Sequence, residues 1–152
     1  MALAIDEARK AFNCGEVPVG ALLTINDKII SSAYNKIEQN KDATSHAEII
    51  CIRESAKILG DWRLSSSTLY VTLEPCCMCV GAAILSRVKK IIWGCPDNRH
   101  GACGSWINIF KNEHQIHKVE VLSGLMEEES KELMRSFFKM RRMDKKHKKI
   151  IQ

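Results

Sequence analysis

Twice in this chain an aliphatic run breaks at polar residues and gives way to helical spacing, and both breaks carry metal-binding residue types. In the first, Lys28–Tyr34 reads as a strand, 35–44 as a polar loop, and Ser45–Leu59 as a helix. That helix has Ala47, Ile50, Cys51, Ala56 and Leu59 at apolar spacing and a stop at Gly60. In the second, Thr68–Leu73 reads as a strand, Glu74-Pro75 ends it, and Cys76–Ser86 reads as a helix. Pro75 suits a first helical turn, where a missing N–H costs nothing.

The remaining segments fit around these two junctions. Residues 2–13 have helical periodicity, 17–25 read as a strand, and Asn26-Asp27 supplies a hairpin turn into Lys28. Further strands are predicted at 90–93 and 119–122, with a Gly-containing loop at 96–105 and an amphipathic helix at 127–142. An opening hairpin followed by β-α-β crossovers predicts a three-layer α/β/α domain. Its centre is a mixed five-stranded sheet with helices on both faces. In such sheets ligands collect outside the carboxyl ends of strands, where the next helix begins.

At 152 residues the chain is read as one domain over 1–142, with 143–152 a basic, flexible tail. No apolar run approaches the roughly 18 residues of a membrane span, and the acidic residues near the start exclude a signal peptide. A soluble, cytoplasmic protein with no membrane partner is expected. Seven cysteines are many for this length, and an odd number fits thiols and metal in a reducing compartment better than a disulfide framework. Cys14, Cys51, Cys95 and Cys103 read as buried free thiols. Of the net charge of +5, the excess lies toward the C-terminus, in Arg135, Lys139, Arg141, Arg142, Lys145, Lys146, Lys148 and Lys149 against Asp144. Such a stretch is either solvated or in contact with a polyanion.

Cys76 and Cys79 stand three apart at a helix start, so their sulfurs share a face, and a helix N-terminus favours the metal-binding thiolate. With His46 from the other junction they make a three-ligand set that leaves one tetrahedral position open, the pattern of a catalytic zinc. Other readings stand beside this one. The C-x-x-C could be a redox pair, although it has a His-x-Glu partner that such pairs lack. Cys77 could close a structural site, although it lies about 100° around the helix from Cys76. Glu48 could be the N3 member of a capping box begun by Ser45.

Taken together, His46-Ala47-Glu48 and Pro75-Cys76-Cys77-Met78-Cys79 match the H-x-E…P-C-x-x-C signature of zinc nucleobase deaminases. Beyond the signature, the chain resembles the bacterial-type tRNA-specific adenosine deaminases, a family of the cytidine deaminase-like superfamily, along nearly its whole length. The shared stretches are Glu16-Val17-Pro18-Val19-Gly20-Ala21, Ala47-Glu48, Leu69 to Cys76, Ser86-Arg87 and Phe137-Phe138-Lys139-Met140-Arg141-Arg142. It departs from the family pattern at Cys77 and at Pro96.

The resemblance implies hydrolytic conversion of adenosine to inosine at the wobble position of a tRNA anticodon loop, by a homodimer. It implies one zinc per chain on His46, Cys76 and Cys79, with Glu48 as the proton carrier. Asn35 and the Ala47 backbone would hold the flipped purine, and Asp97 would contact the ribose-phosphate beside it. Lys139, Arg141 and Arg142 would meet the RNA. For Asn35 and Asp97, ordinary turn roles are the competing readings. For the whole chain, the alternatives are a deaminase of free guanine or cytosine and a non-catalytic RNA-binding module with structural zinc.

Overall fold

The computed structural model describes residues 1–111 and 117–150, with side chains described as far as Asp144. Its elements are α1 (Ala2–Asn13), β1 (Gly20–Ile25), β2 (Lys28–Tyr34), α2 (Ile37–Asn40) and α3 (Ala47–Leu59). They continue as β3 (Ser67–Leu73), α4 (Cys77–Leu85), β4 (Lys90–Cys95), a 3-10 turn (Ile109–Lys111), β5 (Glu120–Leu122) and α5 (Glu127–Ile150). The five strands form one mixed sheet in the order β2-β1-β3-β4-β5, as the alternation of elements predicts.

Asn26 and Asp27 both have positive φ, 49° and 61°, the turn that matches the twist of an antiparallel hairpin. β1 pairs antiparallel with both β2 and β3, while β3–β4 and β4–β5 pair parallel. Thus β1 alone is reversed, and β2, β3 and β4 deliver their carboxyl ends to one edge of the sheet. Asn35, Glu74 and Pro96 each follow one of those ends.

α3 packs on β1 and β2 and against α4, and α1 packs on β1 and β2 and touches α5. The core joins alternate strand residues (Ala21, Leu23, Leu69, Val71, Ile91) to Cys51 and Ile52 of α3 and Val80, Ala83 and Ile84 of α4. All seven cysteines are free thiols. Cys51 and Cys95 are buried and Cys103 is partly so; burial pushes their thiols up to about 12, 11 and 12 respectively. Cys14 is exposed, contrary to expectation, because it follows the last turn of α1 at the surface.

Several boundaries move for local reasons. β1 begins at Gly20 rather than residue 17, since Pro18 has no N–H and Val19 N–H bonds back to Val17 O at 2.8 Å. The expected loop 35–44 contains the single turn α2, ended by left-handed Lys41. α5 does not stop at Arg142. It continues to Ile150, because the following residues include neither glycine nor proline and are mostly strong helix formers. Residues 143–150, expected as a separate tail, therefore extend the helix, and 151–152 lie outside the described residues. No helix among the described residues is long and apolar enough to cross a membrane.

At Gly20 the sheet packs directly against the backbone of α1. A Cβ there would overlap the Ala4 carbonyl oxygen and lie 2.5 Å from the Ala8 backbone nitrogen. Gly20→Ala should therefore displace α1 and destabilise the protein by about 1–3 kcal/mol, read as a lower urea midpoint at unchanged slope.

Candidate active site

His46 and Cys76 occupy equivalent places. Each is the N-cap of its helix, α3 or α4, with extended backbone (φ −70°, ψ 149° and φ −77°, ψ 172°), and neither side chain caps its own helix. Extended backbone directs the side chain away from the turn it precedes, so the two meet. Both helices start one or two residues later than the sequence pattern predicts, and this offset bears on Glu48. Ser45 Oγ donates to Asp42 Oδ2 (3.0 Å) and accepts from Asn40 Nδ2 (3.1 Å), so it serves the preceding loop. The capping-box reading of Glu48 therefore does not apply.

Cys76 Sγ and Cys79 Sγ lie 3.7 Å apart, and His46 Nδ1 lies 3.7 and 3.5 Å from them. Tetrahedral zinc bonds of about 2.3 Å to sulfur and about 2.1 Å to nitrogen set sulfurs about 3.8 Å apart and sulfur–nitrogen pairs about 3.6 Å apart. The three donors thus already have the spacing of a zinc site, and two sulfurs with an imidazole suit that ion. Cys77 is exposed and outside the group, so it does not close the site. The hydrogen bond between the Cys76 and Cys79 thiols, aided by His46 and the Cys79 N–H, brings the Cys76 thiol down to about 4. The same bond, with burial, pushes Cys79 up. The bond with Cys76 likewise raises His46.

Glu48 is buried beside this group without belonging to it. Burial raises its carboxyl above the usual range, and Oε2 has no hydrogen-bond partner among the described residues. A buried carboxylate oxygen is seldom left so unless something else is to meet it.

A cleft of about 1010 Å³ opens over these residues. Asn35, His46, Glu48, Cys76 and Asp97 all line it; the Ala47 side chain is fully buried and does not. Ala47 is the first residue of α3, so its N–H is one that the helix cannot pair. Asn35 is buried and donates through Nδ2 to Glu16 Oε2 at 3.2 Å, while Glu16 Oε1 accepts from Gln39 N–H at 2.8 Å. The Glu16 carboxylate thus fixes the Asn35 amide and leaves its carbonyl oxygen unengaged among the described residues. Asp97 does shape a turn, its Oδ1 accepting from Arg99 N–H (2.9 Å) and His100 N–H (3.3 Å).

One wall of the cleft is α5, through Lys131, Met134, Arg135, Phe138 and Arg142. Phe137 is buried edge-on to Phe12, whereas the adjacent Phe138 is exposed in the cleft. Lys139 and Arg141 are exposed on other sides of the helix and do not line the cleft. Lys131 is paired with Glu127 and Glu128; Arg135 and Arg142 have no ion pair among the described residues. Sequence reasoning missed Glu16, which holds Asn35 in the cleft, and Phe138, which lines it; Arg135, read from the sequence as part of the basic stretch, stands in the cleft wall. The helical spacing of 131, 135, 138 and 142 is the signal that marks Phe138.

Hydrolytic deamination of a nucleobase is the chemistry that such donors and an adjacent unpaired carboxylate serve. The MafB19-like deaminase family model matches residues 1–142. The chain is 48% identical over 143 residues to the tRNA-specific adenosine deaminase of Bacillus subtilis (94% of this chain, 89% of the relative). It is 43% identical over 152 residues to that of Haemophilus influenzae (99% and 88%). A structure from work on A-to-I editing by tRNA:A34 deaminases superposes with a TM-score of 0.84 at 41% identity, covering 88% of this chain and 96% of that one. The chain belongs to the MafB19-like deaminases and, within them, to the tRNA-specific adenosine deaminase family.

The donor spacing generates a metal test. His46→Ala, Cys76→Ser and Cys79→Ser should each lose bound zinc, whereas Cys77→Ser should hold one zinc per chain in metal analysis. Zinc loss in the Cys77 variant would make the site a closed structural one.

Proposed function

We propose that the protein deaminates adenosine to inosine at the wobble position of a tRNA anticodon loop, with one zinc per chain on His46, Cys76 and Cys79. The observation that carries the chemistry is the partnerless Glu48 Oε2, buried beside three donors at zinc spacing. When bound, the ion supplies an acidified water that acts as a nucleophile near neutral pH. Glu48 would take one proton of the attacking water and give it to the ring nitrogen. It would then take the proton of the hydroxyl so added to the ring carbon and give it to the departing amine, which leaves as ammonia while the carbonyl forms. Asn35 and the Ala47 N–H hold the flipped base, and the unengaged Asn35 oxygen accepts from a donor on the nucleoside. Asp97 meets the ribose-phosphate from the opposite wall.

The cleft supports RNA over a free base. It is far larger than one purine, and Phe138, Arg135 and Arg142 extend it along α5, where flanking bases can stack and phosphates can pair. Arg142 is the strongest of the proposed RNA contacts because it lines the cleft; Lys139 and Arg141 would add outer phosphate contacts. Residues 1–142 form the catalytic unit of a cytoplasmic homodimer. Exposed Ile58, Trp62 and Leu85, at the ends of α3 and α4, support self-association.

Glu48→Gln should lower turnover of an anticodon stem-loop by about 10²–10⁴-fold. Zinc content and melting temperature should stay near wild type, since glutamine keeps the size of the side chain and an oxygen able to accept a hydrogen bond. Running free adenine, guanine and cytosine in parallel separates the readings: product from a free base at comparable efficiency would favour a free-base deaminase. Neutralising Arg142 should reduce the salt slope of stem-loop affinity by about one, and neutralising Arg141 by less. Equal slopes would show that the cleft wall is not the RNA-binding side of α5.

A further inference from the structure

Glu74 is a buried carboxylate at the cleft that the deamination chemistry does not use. It follows the last residue of β3, and its N–H bonds to Cys95 O at 2.8 Å, carrying the β3–β4 pairing one residue onward. Its side chain, 2% exposed, is held among backbone N–H groups. Oε1 accepts from Cys103 N–H (2.9 Å) and Ser105 N–H (3.1 Å), and Oε2 accepts from Asp97 N–H (3.1 Å). Both oxygens are engaged, so Glu74 is not poised to move a proton as Glu48 is.

All three donors belong to one loop. Its first part, Pro96 to His100, lines the cleft; its second part returns over the metal-donor segment, with Ala102 N–H on Pro75 O (2.8 Å) and Gly101 bridged to Cys76. At the return the loop presses Gly101 against the carboxylate, where an added Cβ would overlap Glu74 Oε2. A single side chain therefore ties the start and the end of the loop to the strand end that delivers Cys76. Only a group with two acceptor oxygens and no donor satisfies three N–H groups converging from two directions.

We propose that Glu74 is a positioning residue, latching the loop 97–105 so that the RNA-facing rim of the cleft is formed before substrate arrives. The proposal rests on the tRNA deaminase reading for its consequence, though not for its geometry. A rim already ordered spares the binding step the cost of ordering it, so the latch acts on affinity more than on chemistry.

Glu74→Gln separates these effects. The amide oxygen would turn to the two donors of Cys103 and Ser105, and its NH₂ would face Asp97 N–H, donor against donor. Residue-resolved amide exchange on the zinc-loaded protein without RNA should show Asp97 N–H exchanging about tenfold faster or more, with the β3 amides unchanged. The KM for an anticodon stem-loop should rise about tenfold while kcat stays within about threefold, at full zinc content. Gly101→Ala, which pushes the loop off the carboxylate while residue 74 stays a glutamate, should give the same split and stands in if Glu74→Gln does not fold. Unchanged Asp97 exchange, or a fall in kcat at constant KM, would overturn the latch. A wild-type protein inactive on the stem-loop would overturn the tRNA reading instead, leaving the exchange measurement to decide the latch.

Discussion

His46 and Cys76 stand on the extended residue that precedes a helix, where the backbone turns and the side chain is thrown clear of the first turn. Two such residues face each other because β2 and β3 run the same way, with β1 reversed between them. Each strand hands the chain to a helix at the same edge of the sheet, so the positive ends of α3 and α4 converge on one point. That convergence suits thiolate donors and leaves Cys79, one turn into α4, to complete the triangle. The reversed strand is thus as much a part of the metal site as the residues that touch it.

Three buried glutamates stand along this edge, and their surroundings assign them different work. Glu16 and Glu74 have their oxygens taken by N–H groups of the loops they hold. Glu48 has one oxygen that no described residue engages. Identical side chains at similar depth thus divide into two that fix geometry and one kept available for a proton. The difference lies in how many backbone donors the local chain path brings within reach.

The sheet, its order of elements and the grouping of His46, Cys76 and Cys79 were legible in the sequence, because periodicity and the two half-motifs both depend on local spacing. Less legible was whatever depends on backbone donors arriving from elsewhere. Glu74 reads only as the end of a strand, since the N–H groups of Asp97, Cys103 and Ser105 leave no mark on residue type. Ser45 matched a capping pattern but spends its hydroxyl on Asp42 and Asn40, which moves the helix start and changes what Glu48 is. Phe137 and Phe138 are adjacent and equally apolar. Neighbours on a helix point about 100° apart, so one is buried and the other left in the cleft.

The cleft wall contributed by α5 comes from the last helix in chain order, whereas all three metal donors lie within 46–79. During synthesis the chain emerges from its N-terminal side, so His46, Cys76 and Cys79 are made before Phe138 and Arg142. The donor group and the wall that closes the cleft over it are thus contributed by successive parts of the chain, and the cleft takes its shape only when the final helix has docked.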